Sequence, residues 1–312
     1  MTTPLPFFSV VIPTYNRPER LTACLEALAQ LDYDRDRYEV IAVDDGSPVD
    51  LSPCLMPVRD RMNVRLIRQE NTGPAGARNR GVAEARGEFI AFTDDDCMPL
   101  PNWLRQFTAA LTLAPDKMVG GYTINALEDN LYSTASQQLL DYLYRYYNIE
   151  AESVKFFASN NIAMSRACFL DIGGFDTSFP LAAAEDREFC DRWLYRGLTM
   201  QYVPEAKIRH AHHLSMRLFW KQHFGYGRGA FCFHQVRAQR DEQPIRVEPW
   251  KFYADLLSYP FKQTASHSGL YSGLSSSLYS GVALSGLFFI SQVANATGFF
   301  WERFLGQPNE AA

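Results

Sequence analysis

The sequence has no closely spaced cysteine pair. Its six cysteines, Cys24, Cys54, Cys97, Cys168, Cys190 and Cys232, are scattered over 312 residues, which excludes clustered-cysteine zinc sites and Cys-x-x-Cys redox chemistry. Cys24 falls on the apolar face of a predicted helix, so it reads as a reduced core thiol, and a reducing compartment is expected. No basic stretch precedes an apolar one in MTTPLPFFSVVIP, and no secretory signal is expected. Positive charge is not in excess: 30 Lys and Arg stand against 35 Asp and Glu, a net charge of -5. That removes a global attraction to nucleic acid, although the stretch from Lys207 to Arg246 is locally basic. There is no G-x-G-x-x-G between a strand and a helix, which argues against dinucleotide binding. The glycines of Gly225-Tyr226-Gly227-Arg228-Gly229 have a different spacing and follow a predicted helix. Repeats and low-complexity tracts are absent. Between Lys262 and Glu302 there is no Asp, Glu, Lys or Arg, and His267 is the one titratable cation candidate.

What is present is an alternation of strand and helix patterns. Ser9 to Pro13 is a short β-branched run of the kind buried on both faces. Asn16 and Pro18 mark a helix start, and Leu21, Cys24, Leu25 and Leu28 follow at helical spacing. Further strands are expected at Glu39 to Val43, Val64 to Ile67 and Glu88 to Thr93, with a glycine-initiated helix at Gly73 to Ala85. Such alternation implies a mostly parallel sheet with right-handed crossovers, in which ligands bind beyond the carboxyl ends of the strands. Three polar clusters fall at those ends: Thr14-Tyr15-Asn16, Asp44-Asp45 and Asp94-Asp95-Asp96. They are expected to converge on one crevice. Downstream, a Tyr-rich helix is expected over Leu131 to Tyr147 and a strand over Phe156 to Ala163. A Gly173-Gly174-Phe175-Asp176 turn then leads to Glu185-Asp186 at the head of a helix that Gly197 ends.

Asp94-Asp95-Asp96 is the sharpest chemical signal. Carboxylates one residue apart can hold a hard divalent cation that bridges two phosphates and offsets charge on a leaving diphosphate. If the strand continued through them, Asp94 and Asp96 would share a face and Asp95 would look elsewhere. A solvated acidic turn is the competing reading. His210 and His212 follow a strand-like Lys207 to Ile208 and would point to one face. Structural histidines are the plain reading of the pair. The Gln222 to Gly229 run reads as a mobile, glycine-hinged element.

The pieces VVIPTYNRPERL, VIAVDDGS, NTGPAGARNRGVAEARGEFIAFTDDDC, FFASNNIAMSR, IGGFD and AAEDREFCDRW resemble, in order, the motifs of the family 2 glycosyltransferases, which are inverting enzymes of the GT-A fold. The resemblance runs from about Phe8 to Arg228. It implies an α/β, GT-A-type nucleotide-diphospho-sugar transferase fold: a mostly parallel central sheet flanked by helices, with a helical C-terminal appendage. The expected organisation is a catalytic domain over 1–235, with a nucleotide-binding half to about 120 and an acceptor half over 121–235, and a C-terminal region over 236–312. By position, the resemblance assigns Pro13, Thr14 and Tyr15 to the donor-base pocket and Asn16 to nucleotide-sugar binding. Asp45 matches the acid that accepts from the N3 of a uracil-like or thymine-like base. Arg78, Asn79, Asn160, Asn161 and Arg228 fall on the nucleotide-sugar side, Asp94 and Asp95 near the ribose or donor sugar, and Asp96 on the metal, Mg or Mn, with His210 or His212 implied as a further ligand that would favour Mn. In the Glu185-Asp186 motif, Asp186 is the expected general base for the acceptor hydroxyl. N-terminal helix capping by the same acids is compatible with that role.

The implied reaction moves a sugar from a nucleoside-diphosphate sugar, a UDP- or dTDP-sugar by preference, to a glycan or lipid-linked glycan. The implied location is cytoplasmic, with a membrane contact through 280–303 as one expectation. The other is that the tail packs on the catalytic domain or on a second subunit, leaving the oligomeric state open. Two rivals are a silent sugar- or nucleotide-binding scaffold of the same fold and a sugar nucleotidyltransferase. The latter would need a Gly-rich loop with a cation after the first strand, and Thr14-Tyr15-Asn16-Arg17 does not supply one.

Overall fold

The computed structural model describes residues 5–149, 153–179, 183–242, 248–266 and 278–305. His267 and the end of the expected C-terminal region, 306–312, lie outside the described residues. The chain forms two compact units. The first comprises Met1–Ile124, Tyr147–Ser178 and Glu185–Ala211, and the second Asn125–Tyr146, Phe179–Ala184 and His212–Ala312.

The first unit is built on strands and covering helices in the order β1 (Phe8–Thr14), α1 (Pro18–Leu28), β2 (Tyr38–Asp44), β3 (Val64–Arg68), α2 (Gly73–Ala83), β4 (Phe89–Phe92), β5 (Cys97–Pro99), α3 (Trp103–Leu113) and β6 (Met118–Asn125). The helix α4 (Leu131–Tyr144) intervenes and belongs to the second unit. The first unit then resumes with β7 (Ile162–Ser165), α5 (Arg166–Ile172), α6 (Glu185–Tyr195) and β8 (Met200–His210). The strands make one eight-stranded sheet in the order β3-β2-β1-β4-β7-β6-β8-β5. One half, β3-β2-β1-β4, is parallel, and β7 pairs antiparallel with both β4 and β6.

Every residue of β1, β2 and β4 is buried. This explains their unbroken apolar runs, because strands with helices on both faces need not alternate. The parallel register sets Thr14 opposite Asp44, so the polar ends of β1 and β2 are level. Asn16 then adopts a left-handed conformation, φ 53, which Asn tolerates better than most residues. Its N–H donates to Ser47 Oγ at 2.8 Å. The chain thereby turns directly from β1 into α1, whose Leu21, Cys24, Leu25 and Leu28 enter the core.

Three expectations are corrected. Asn160 and Asn161 do not ride on a strand: Ser159–Asn161 forms a 3-10 turn and β7 begins at Ile162. Strand β8 ends at His210, so period-2 alternation does not carry His210 and His212 to one face. The Gln222–Gly229 run is not a hinge. It lies inside a continuous helix, α7 (Met216–Asp241).

The second unit is helical where described, with α4, α7, α8 (Trp250–Ser266) and α9 (Leu278–Leu305). Its core includes Leu139, Tyr142, Phe219, Phe252, Tyr259 and Phe288. Tyr142 is a packing residue, its hydroxyl donating to the Phe252 carbonyl at 2.8 Å. Helix α9 contains one stretch, Gly281–Leu305, long and apolar enough to cross a membrane by length and composition. Its Val282, Phe289, Val293, Phe300 and Phe304 are exposed.

The glycines of α7 are explained by its packing on α9. A Cβ at Gly227 would collide with the Asn295 carbonyl, whereas one at Gly225 meets nothing within 4 Å. Glycine normally weakens a helix relative to alanine, so the two positions respond with opposite signs. Gly225→Ala is expected to stabilise the protein by roughly 0.5–1 kcal/mol, and Gly227→Ala to destabilise it by about 1–3 kcal/mol through overpacking. Chemical denaturation of the two variants checks both signs.

Candidate active site

The buried β4 ends at Phe92, and the chain turns through Asp94–Asp96, closed by the Cys97 N–H donating to the Asp94 carbonyl at 3.1 Å. Because these residues form a turn, strand alternation does not apply. Each carboxylate has its own cation. Asp94 accepts from Arg78 Nη2 at 2.7 Å. Asp95 is buried and accepts from Thr14 Oγ1 at 2.8 Å and from Arg17 Nη1 at 3.2 Å. Asp96 accepts from Arg20 Nη1 at 3.0 Å, and its other oxygen lies 3.2 Å from His210 Nε2. Arg17 also reaches Asp96 at 3.8 Å. It is therefore Asp95 and Asp96 that share a partner, while Asp94 looks toward α2.

The energetics follow from burial. Desolvation pushes Asp95 up to about 6, partly offset by Arg17 and reinforced by the Asp96 charge. For His210, burial alone would lower the pKa. The hydrogen bond to Asp96 and the charges of Asp96 and Asp94 outweigh it, and the imidazole is raised. Cys24 and Cys97 are held well above the usual thiol range by burial, as expected for core thiols. The six cysteines are free.

Among the described residues, Asp96, Cys97 and His210 bring potential ligand atoms within 4.8 Å of one another. A carboxylate beside an imidazole suits a divalent ion of borderline hardness, so Asp96 and His210 fit a bound metal. His212 is not in this group; its carbonyl accepts from the Ser133 hydroxyl at 2.5 Å within the helical unit.

At the neighbouring strand ends, Pro13 and Thr14 are buried and Tyr15 is exposed, which removes core packing as the role of Tyr15. Asp45 is buried and turned toward the start of α2. It accepts from Gln69 Nε2 at 2.7 Å, from the Thr72 N–H at 2.9 Å and from the Gly73 N–H at 2.8 Å. This is a helix-capping arrangement, placed where the macrodipole favours an acid.

In the structure Arg78 and Asn79 are engaged by the protein's own groups. The inner face of α2 is packed, and Arg78 with it is 3% exposed. Arg78 bridges Asp94 and, through Nη1 at 3.2 Å, Glu185 Oε1. Asn79 donates to the Phe175 carbonyl and accepts from the Phe175 N–H, both at 2.8 Å. It thereby pins the turn in which Gly173 and Gly174 take positive φ. Asn161 is likewise consumed internally, accepting from Trp103 Nε1 at 2.8 Å and donating to the Tyr122 and Ala206 carbonyls. Asn160 Nδ2 approaches Cys97 Sγ at 3.8 Å, and its Oδ1 is buried without a partner. Arg228 belongs to the helical unit and pairs with Glu302 at 2.5 Å.

The acid pair opens α6, immediately after Ala184 at φ 73, a conformation costly for a residue with a Cβ. Glu185 takes the Arg78 bridge. Asp186 accepts from the Ser159 N–H at 3.4 Å and is pushed up to about 7, by burial first and then by the Glu185 charge, with Arg78 acting in the opposite direction. One turn along, Arg192 binds both oxygens of Glu188 and donates to the Ile172 and Gly174 carbonyls. This ties the glycine turn to the same helix. The sequence reading missed Arg17 and Arg20. Their signal was present, as two arginines one helical turn apart at the start of the helix that follows β1.

Comparison with known proteins bears on this arrangement. The model of the family described as Glycosyl transferase family 2 matches residues 9–173. A second model, described as the N-terminal domain of galactosyltransferase, matches residues 141–215. The glycosyltransferase AglE of Haloferax volcanii is 36% identical over 124 residues, 39% of this chain and 40% of that protein. The chain spans less than half the length of the curated relatives it matches first. In fold, it resembles a mannosyltransferase of Pyrobaculum calidifontis solved with GDP-Man and Mn2+. That match has a TM-score of 0.64 and 20% identity, covering 96% of this chain and 89% of that one. It also resembles GalNAc-T7 solved with UDP, GalNAc and Mn2+, with a TM-score of 0.56 and 16% identity, covering 97% of this chain and 57% of that one.

The engagement of Asn79 with a backbone segment generates a test. Asn79→Ala is expected to lower stability by about 1–3 kcal/mol, because two hydrogen bonds to Phe175 are lost. Nucleotide affinity of the folded protein should stay unchanged. Weakened nucleotide binding at unaltered stability would assign Asn79 to the donor instead.

Proposed function

The chain belongs to glycosyl transferase family 2, and from that membership we propose that it transfers a sugar from a nucleoside-diphosphate sugar to an acceptor hydroxyl with inversion at the anomeric carbon. The observation that carries the reading is the grouping, within one unit, of the Asp94–Asp96 turn, the Asp96–His210 pair and the elevated Asp186 carboxyl.

In the proposed reaction the acceptor oxygen attacks the anomeric carbon from the face opposite the nucleotide. The new carbon–oxygen bond forms as the bond to the diphosphate breaks, and the hydroxyl proton passes to the Asp186 carboxylate. A base poised near neutrality suits that transfer. Asp96 and His210 would hold the divalent ion, Mg or, given an imidazole ligand, preferably Mn. That ion supplies Lewis-acid stabilisation of the departing diphosphate. Tyr15, exposed beside the strand ends, and Asp45 supply the base pocket. Asp45 Oδ1 accepts from Gln69 and from the Thr72 N–H and hydroxyl, whereas among the described residues Oδ2 accepts from the Gly73 N–H alone, so Oδ2 has room for a uracil or thymine N3–H. That favours a UDP- or dTDP-sugar. Asn160 Oδ1, buried and without a hydrogen-bond partner among the described residues, is an acceptor available to a donor-sugar hydroxyl. Contact with a membrane, which would suit a lipid-linked acceptor, is supported by the exposed apolar residues of α9.

Thermal stability measured against a panel of nucleoside diphosphates, with and without Mn2+, tests the donor site by mass action. One nucleotide should raise the melting temperature only with metal, and Asp96→Ala should remove that rise. Asp186→Asn should keep the rise and lose transfer by about 10²–10⁴-fold. Wild-type transfer by Asp186→Asn would sink the assignment of the base.

A further inference from the structure

One group at the centre of the first unit has no part in the scheme above. Arg78 is fully enclosed and held from three sides. Asp94 lies at 2.7 Å, Glu185 at 3.2 Å and the Phe175 ring at 5.6 Å from the guanidinium carbon. The two carboxylates come from opposite ends of the proposed chemistry. Asp94 belongs to the turn that faces the donor, and Glu185 is the immediate neighbour of the proposed base. Phe175 is fixed in turn by Asn79.

The charges of this cluster do not balance. Glu185 and Asp186 bring two acidic groups side by side at the head of α6, and Arg78, which Asp94 shares, is the cation that meets them. The other groups facing Asp186 do not correct the deficit. The Ser159 and Arg187 N–H groups are neutral donors. Cys190, one turn along α6, is kept protonated by burial, and the Arg187 guanidinium is directed to Tyr147, donating to its hydroxyl at 3.3 Å. Ionisation of Asp186 is therefore opposed by burial and by the Glu185 charge and eased by Arg78.

We infer that Arg78 is a positioning residue that couples the donor-facing carboxylate Asp94 to the acid pair Glu185-Asp186, and that the Arg78–Glu185 contact sets the pH at which the base becomes available. The inference rests on the reading of Asp186 as the base. The coupling is reciprocal: whatever draws Asp94 toward a bound donor leaves more of the Arg78 charge for Glu185 and Asp186, so donor binding readies the base.

The test is the pH dependence of kcat. Glu185→Gln removes one negative charge beside Asp186 and frees the Arg78 bridge, so the acidic limb should move to lower pH by about one unit. Arg78→Met removes the balancing cation and should move the limb to higher pH by about as much, whereas Arg78→Lys keeps the charge and should leave it in place. Circular dichroism and melting temperature establish that each variant is folded. If burial of unpaired acids unfolds Arg78→Met, the Glu185→Gln shift, opposite in sign, decides alone. A limb at the wild-type pH in folded Glu185→Gln overturns the inference. Inert Asp186→Asn together with that unmoved limb would leave the base assignment standing and remove only the role of Arg78. Active Asp186→Asn would remove both.

Discussion

Three carboxylates in a row at the end of a fully buried strand are a constraint that the rest of the first unit accommodates. Asp95 and Asp96 have almost no access to water, and isolated ions there would be costly. Each acid is met by its own partner: Asp94 by Arg78 from α2, Asp95 by Arg17 from the turn before α1, and Asp96 by Arg20 from α1 and His210 from β8. The compensation is incomplete by design of the sequence, since Asp95 and Asp186 remain elevated. A divalent cation held by Asp96 and His210 would take the place that Arg20 has on Asp96.

The same network explains why segments remote in sequence must keep their geometry. Arg78 joins the aspartate turn to α6, Asn79 joins α2 to the glycine turn, and Arg192 joins that turn back to α6. The motifs that look like separate functional signatures are thus partly the struts of one scaffold. Thr14 and Asn161 belong to the same class, holding Asp95 and the Trp103–Ala206 region respectively.

The parallel half of the sheet was legible because β1, β2 and β4 are buried on both faces and read as short apolar runs ended by turn residues. The antiparallel half was not. In β8 buried and exposed positions alternate irregularly, so only Lys207 to Ile208 stood out as strand-like. Helix α7 was misread at its glycines, where packing against the Asn295 and Ala183 carbonyls outweighs their cost in a helix. At the site, the identity of the acids was legible and their directions were not. The shared face expected of Asp94 and Asp96 if the strand continued through them is not found, because they follow the strand in a turn. Arg78, Asn79 and Asn161 lie in motifs associated with the donor, yet burial commits them to internal partners. Arg17 and Arg20 carried no motif weight, although the position after β1 aims them at the carboxylates.

The most direct test of this account is the position of a metal. Crystals of the protein soaked with Mn2+ and a nucleoside diphosphate should show an anomalous difference peak bonded to Asp96 and His210, with Arg20 displaced from Asp96. A peak on other residues, or none with the nucleotide visibly bound, would contradict the claim that the Asp94–Asp96 turn is built around a divalent cation.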